Sequence, residues 1–159
     1  MANAVVSQSG GPTGVINASL AGVISEVGKH QEIENLYGSI HAVAGIVKEE
    51  FIDLKQLSMQ TMTRLAFSPS SALGSSRDKP DEEYCKKILD VFQKYDVEYF
   101  YYIGGNDSAN TCYLVNNMAE KVGFNFRAFH IPKTVDNDLL VTDHCPVSYT
   151  HLTLPTNRE

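Results

Sequence analysis

The sequence predicts an α/β fold built on a doubly wound, mostly parallel sheet, and two observations carry that expectation. Short apolar runs of strand length alternate with stretches whose apolar residues fall at helical spacing. The loops richest in glycine, asparagine and aspartate each follow a predicted strand. Alternation at this spacing implies βαβ units and a parallel sheet. In such sheets ligands sit in the crevice beyond the carboxyl ends of the strands.

The elements follow in order. Ala4-Val5-Val6 is a short apolar run ended by Ser7-Gln8-Ser9-Gly10-Gly11-Pro12, after which Val15, Ile16, Leu20, Val23, Ile24 and Val27 recur at helical spacing. This predicts strand, glycine loop, helix. Residues 35–40 are expected as a second strand, 41–45 as a Gly/Ala-rich loop and 54–65 as a short helix. Residues 68–77 are small, polar and rich in breakers, which marks a loop. Pro80-Asp81-Glu82-Glu83 opens a helix, since acidic residues suit a first turn, and Tyr84, Ile88, Phe92 and Tyr95 supply its face. Residues 97–103 are dense in aromatic and β-branched side chains, the composition of a buried strand. A helix with Cys112, Val115, Ala119 and Val122 on one side follows, then a strand over 126–131.

Bulk properties narrow the function. The chain has 159 residues, 43% hydrophobic and 20% charged, enough for one core of ordinary size. No repeat or low-complexity tract is present. No apolar run approaches the roughly eighteen residues of a membrane span, and the start MANAVVSQSGG lacks the pattern of a secretory signal. A cytoplasmic protein without a membrane partner is expected. The net charge of −6 argues against a nucleic-acid partner. It leaves room for a small anion, which backbone N–H groups and two or three cations can hold. Cys85, Cys112 and Cys145 are odd in number and far apart, which predicts reduced thiols.

Three loops carry candidate chemistry. Ser9-Gly10-Gly11-Pro12-Thr13-Gly14 lets backbone approach a ligand at a helix N-terminus. It has neither the Gly-Lys-Ser/Thr ending of a Walker loop nor the dinucleotide G-x-G-x-x-G pattern, and a tight turn that binds nothing explains it equally well. In Gly104-Gly105-Asn106-Asp107-Ser108, Asn106 and Asp107 offer oxygen donors of the kind Mg²⁺ prefers. The alternative is a helix cap. Pro132-Lys133-Thr134-Val135-Asp136-Asn137-Asp138 sets a cation, a hydroxyl and two carboxylates within six residues. That grouping suits a phosphate-binding lysine, a general base and a metal partner, although a polar surface turn also favours Asn and Asp.

Taken in order, SGGPTG, LGSSR, IGGNDS and PKTVDND resemble the N-terminal half of the phosphofructokinase family, over residues 3 to about 146. The resemblance implies a doubly wound α/β domain, with phosphoryl transfer to the 1-hydroxyl of fructose 6-phosphate. Members that use ATP typically carry Gly-Gly-Asp-Gly in the third motif and Pro-Gly-Thr in the fourth. Asp107 and Lys133 replace those two glycines here, which is similar to the pyrophosphate-dependent branch. A carboxylate at Asp107 would stand where the α-phosphate of ATP would go. Two like charges about 4 Å apart at an effective dielectric near 20 repel by roughly 4 kcal/mol, about a thousandfold in binding. Lys133 would offer a positive charge to a small anionic donor.

By the same resemblance Asp136 is the general base, and Asp138 supports metal and donor geometry. Thr134 contacts the sugar phosphate, and Arg77 bridges donor and acceptor phosphates, a task suited to a planar fork of donors. Gly10 and Gly11 meet the donor phosphates. Mg²⁺ is the implied cofactor, with Asn106 and Asp138 as its expected ligands. The family's usual metal carboxylate falls at Asn106, an amide. Pyrophosphate and fructose 6-phosphate are the implied partners, in a homo-oligomeric parent.

The family continues beyond residue 146 with a Gly-rich segment and a long second half. Residues 147–159 resemble no part of it and are expected to be an unrelated adapter- or vector-derived tail on a truncated donor-binding portion, residues 1–146. Such a portion is expected to turn over little alone. Other classes fit less well. A serine esterase with a Gly-x-Asn-Asp block needs a Gly-Asp-Ser nucleophile and an Asp-x-x-His pair, both absent. Nicotinamide-nucleotide and lipid kinases have no counterpart of PKTVDND. An ATP-dependent relative conflicts with Asp107 and Lys133, and a non-catalytic regulatory subunit with the retention of Asp136, Lys133 and Arg77.

Overall fold

A computed structural model describes residues 2–134. Its first strand β1 (Ala2–Gln8) leads into helix α1 (Ile16–Val27), and β2 (Ile33–Ser39) into the short helix α2 (Ala42–Val47). The small strand β3 (Phe51–Asp53), helix α3 (Met59–Ala66) and helix α4 (Glu82–Lys94) come next. The last elements are β4 (Val97–Gly104), α5 (Asn106–Lys121) and β5 (Arg127–Pro132).

The sheet order is β3-β2-β1-β4-β5, with β2–β1, β1–β4 and β4–β5 parallel and β2–β3 antiparallel. The chain builds outward from β1 on one side, then crosses back to lay β4 on the other. The strand order therefore reverses between β1 and β4. Loops leaving these two strands diverge at that point and open a crevice.

Alternation along β1 explains the two winding directions. Ala4 and Val6 face one core, with Ile16, Leu20, Ile24 and Val27 of α1 and Leu36 and Ile103 of the sheet. Val5 faces the opposite core, with Cys85, Ile88 and Phe92 of α4, Cys112, Val115 and Ala119 of α5, and Phe100 and Tyr102 of β4. The β4 aromatics stack with ring centroids 5.1 Å apart. Both faces of the central strands are covered, which is why these runs read as continuously apolar rather than alternating.

Helix ends obey local rules where the sequence supplies them. Asp81 caps α4 by accepting the Tyr84 N–H at 2.8 Å, with Glu82 and Glu83 in the first turn and Lys94 in the last, each suited to the helix dipole. Ser58 caps α3, its side chain accepting the Thr61 N–H.

Several boundaries differ from expectation. Residues 41–45, expected as a loop, instead open α2 through the left-handed residues His41 (φ 60°) and Ala42 (φ 56°). Gly45 is required there, since a Cβ would lie 1.7 Å from the Ile40 carbonyl oxygen. The expected helix over 54–65 begins only at Met59, after its Ser58 cap. Strand β3 had no sequence signal of its own. Val122, assigned to the buried side of α5, is 62% exposed because it is the C-cap residue beyond the last turn. Cys85 and Cys112 are free and buried, as expected of reduced thiols, and burial pushes the Cys112 thiol up to about 12. Cys145 lies outside the described residues. No helix among the described residues is long and apolar enough to cross a membrane.

Candidate functional site

The site sits at the reversal between β1 and β4. Its foundation is a buried polar network at the end of β1. Gln8, fully buried, donates through Nε2 to Asn17 Oδ1 (2.9 Å) and to the Ile16 carbonyl (3.1 Å). Its Oε1 accepts from the Ser71 hydroxyl and the Leu73 N–H, both at 2.9 Å. Asn17, also fully buried, donates to the Ser68 hydroxyl at 2.9 Å and accepts the Ala72 N–H at 3.0 Å. Two amides thus join β1, the first turn of α1 and the 68–77 loop, with the bonds that burial demands. The motif reading missed both. The available signal was two amides at positions where strand and helix patterns call for apolar residues.

On that base the glycine loop and the 68–77 loop lie against each other. Gly10 has φ +75°, a conformation glycine adopts without strain. Its N–H donates to the Ser76 carbonyl (3.0 Å), and its carbonyl accepts the Ser75 hydroxyl (2.5 Å). A Cβ on Gly10 would meet Lys133 Nζ at 3.4 Å, and one on Gly11 would meet an Arg77 terminal nitrogen at 3.7 Å. The two expected phosphate-binding cations therefore lie against the two expected phosphate-binding glycines.

Lys133 is held at both ends. Its N–H extends the β4–β5 pairing by donating to the Gly104 carbonyl (2.9 Å), and its Nζ donates to the Gly11 carbonyl (2.5 Å). The residue is 7% exposed. Burial holds its pKa below the ordinary lysine value, and the neighbouring Arg77 charge adds to that. The Gly104 carbonyl also accepts from His130 Nε2 at 2.8 Å. Burial lowers the His130 pKa, favouring the neutral ring, whose Nε2 keeps a proton for this bond.

Across the crevice, α5 starts at Asn106 with Gly105 as its N-cap and no side-chain cap hydrogen bond. The capping alternative for Asp107 and Ser108 is therefore not what these side chains do. Asp107 stands in the first turn and pairs with Lys79 through Nζ and Oδ2 at 3.2 Å. Lys79 was not a sequence candidate, although it follows Arg77 by only two positions.

Residues 9–11, 76–79 and 105–108 line an open pocket of about 490 Å³. Gly10, Gly11, Arg77, Asn106 and Asp107 are thus brought together, with Lys133 reaching the glycine loop from β5. Thr134 is the last described residue, beside Lys133. Asp136 and Asp138 lie outside the described residues. Among the described residues no group of three or more His, Cys, Asp or Glu could hold a metal. The pocket's Asn106 and Asp107 oxygens are hard donors of the type Mg²⁺ takes alongside waters and phosphate oxygens. The donor set fits that ion as a partial shell.

Comparison with known proteins identifies the family. The family model described as Phosphofructokinase matches residues 3–156, running on into the 147–159 segment. The chain is 49% identical over 142 residues to a pyrophosphate–fructose 6-phosphate 1-phosphotransferase of Rhodospirillum rubrum, covering 89% of this chain and 35% of that protein. Identity to the protein of that name in Methylococcus capsulatus is 41% over 150 residues, covering 91% and 36%. The crystal structure of a pyrophosphate-dependent phosphofructokinase from Nitrosospira multiformis superposes with a TM-score of 0.84 at 43% identity, covering 91% of this chain and 36% of that one. The chain spans about a third of the length of the relatives it matches. It belongs to the phosphofructokinase family.

Proposed function

We propose that the whole protein transfers a phosphoryl group from pyrophosphate to the 1-hydroxyl of fructose 6-phosphate, giving fructose 1,6-bisphosphate and phosphate in glycolysis. The observation that carries this reading is Asp107, whose carboxylate lines the pocket at the start of α5 where ATP-using members have glycine. It disfavours the additional phosphate of a nucleotide, while the compact donor keeps the glycine loop, Arg77 and Lys133. The relatives named above carry pyrophosphate in their names, which supports the same donor.

In this scheme Asp136 accepts the proton of the sugar hydroxyl as its oxygen bonds to phosphorus. The bridging P–O bond of pyrophosphate breaks, and phosphate leaves. Arg77 spans donor and acceptor phosphates, and Lys133 faces the charge on the transferring group. Thr134 contacts the sugar phosphate. Asn106, with Asp138, would hold Mg²⁺, which when bound neutralises charge on the donor oxygens. Burial of Lys133 favours its role, because a desolvated ammonium fixed at both ends needs little reorganisation when phosphate arrives. A cytoplasmic location and a homo-oligomeric assembly belong to the same proposal.

The test is a coupled assay of fructose 1,6-bisphosphate production in the full-length parent, with each donor in turn. Pyrophosphate is expected to support turnover and ATP to fail. Preference for ATP would overturn the donor assignment. Replacement of Asp136 by Ser separates this enzyme from a non-catalytic subunit, since unchanged activity would remove the base.

A further inference from the structure

Two charged side chains lining the pocket have no role in the transfer just described: Asp78 and Lys79. Asp78 accepts a long hydrogen bond from the Tyr84 hydroxyl of α4, at 3.4 Å. Lys79 is different, because its partner is Asp107, the residue on which donor choice turns. Their contact at 3.2 Å joins the loop after Arg77 to the first turn of α5 across the pocket, with side chains 75% and 62% exposed.

The charges lining the pocket are balanced. Arg77 and Lys79 stand against Asp78 and Asp107. Without Lys79, the two lining carboxylates would face Arg77, with Lys133 against the glycine loop as the remaining cation, at a site meant for a multiply charged anion. An exposed ion pair of this kind adds little to folding stability. Its effect on the field inside a cleft is larger, because each unit of wall charge acts on every charge of the ligand.

We propose that Lys79 is a specificity-determining residue that screens Asp107, so that the carboxylate bars a nucleotide without repelling pyrophosphate. The inference rests on the pyrophosphate reading. Lys79 acts through Asp107, so it is a positioning residue rather than a catalytic one. It explains how an acidic side chain can serve in a phosphate site. The carboxylate is paired with Lys79, and its residual field falls on whatever extends beyond the compact donor.

The experiment is calorimetric titration of pyrophosphate into the full-length parent and its K79M, K79R, D107N and K79M/D107N variants, at low and high salt. Circular dichroism confirms the fold of each variant. At low ionic strength K79M is expected to bind pyrophosphate about tenfold more weakly than the unmodified parent, a difference that salt should shrink. K79R should stay within about twofold. In the D107N background, K79M should change affinity by less than about twofold, since the charge it screens is gone. If K79M matches the unmodified parent, the inference fails while the donor reading stands. If K79M weakens binding equally with and without Asp107, Lys79 touches the donor directly and the screening role is wrong. If the unmodified parent binds no pyrophosphate, the donor reading and the inference fall together.

Discussion

Two adjacent glycines should respond unequally to the same substitution. Gly104 ends β4 and Gly105 caps α5, and both belong to the loop that presents Asn106 and Asp107. A Cβ on Gly104 would lie 2.1 Å from Ser108 Oγ, 2.9 Å from Ser108 Cβ and 3.2 Å from Ser9 Cβ. A Cβ on Gly105 meets nothing nearer than the Lys133 carbonyl oxygen, at 3.8 Å. Neither glycine has a positive φ, so space rather than backbone conformation decides. Ser108 is 2% exposed and sits in the first turn of α5, and Ser9 is 5% exposed in the glycine loop. Rotating the Ser108 hydroxyl away does not remove the clash with its Cβ, so backbone must shift. Overpacking of this kind costs about 1–3 kcal/mol, and G104A is expected near the upper end. G105A loses only the small preference for glycine over alanine at an N-cap, less than about 1 kcal/mol. Urea unfolding followed by circular dichroism measures both. G104A should also weaken pyrophosphate binding, because the shift moves both walls of the pocket. Equal stabilities for the two variants would refute the packing reasoning.

Further outcomes follow from the charges and caps. D107N should raise ATP affinity by about tenfold in a binding titration. The bare-carboxylate figure of a thousandfold is an upper bound, because Lys79 lies 3.2 Å away and solvent screens the exposed pair. Burial and Arg77 depress the Lys133 pKa, so a phosphate ligand should draw a proton onto it. Pyrophosphate affinity should therefore fall as pH rises through the depressed value, before the ordinary lysine range is reached, and K133M should abolish that limb of the pH profile. D81A removes the cap of α4 and should cost about 1 kcal/mol in chemical unfolding, without altering pyrophosphate affinity.

Much of this arrangement was legible in the residues. The helical spacing of Ile16, Leu20, Ile24 and Val27 and the dense β4 run gave the winding, because each repeats one physical period over two or more turns or pleats. The glycine loop and the Gly-Gly-Asn-Asp turn converge because both leave strands flanking the reversal in sheet order. What escaped was set by tertiary contact rather than local pattern. Helix α2 is six residues long and mostly buried, so it has no polar face to mark its period. Strand β3 spans three residues and exists through its pairing with β2. Gln8 and Asn17 became interpretable only once the 68–77 loop was seen to fold over them. Lys79 declared itself through a partner 28 positions away in the chain, a pairing that no spacing rule reports.

The central claim is that this pocket selects a compact inorganic donor over a nucleotide. Its most direct test is calorimetric titration of pyrophosphate and ATP, side by side, into the same preparation of the full-length parent with Mg²⁺ at one ionic strength. Pyrophosphate should saturate a single site, with ATP at least about tenfold weaker. ATP binding as tightly as pyrophosphate, or more tightly, would contradict the account.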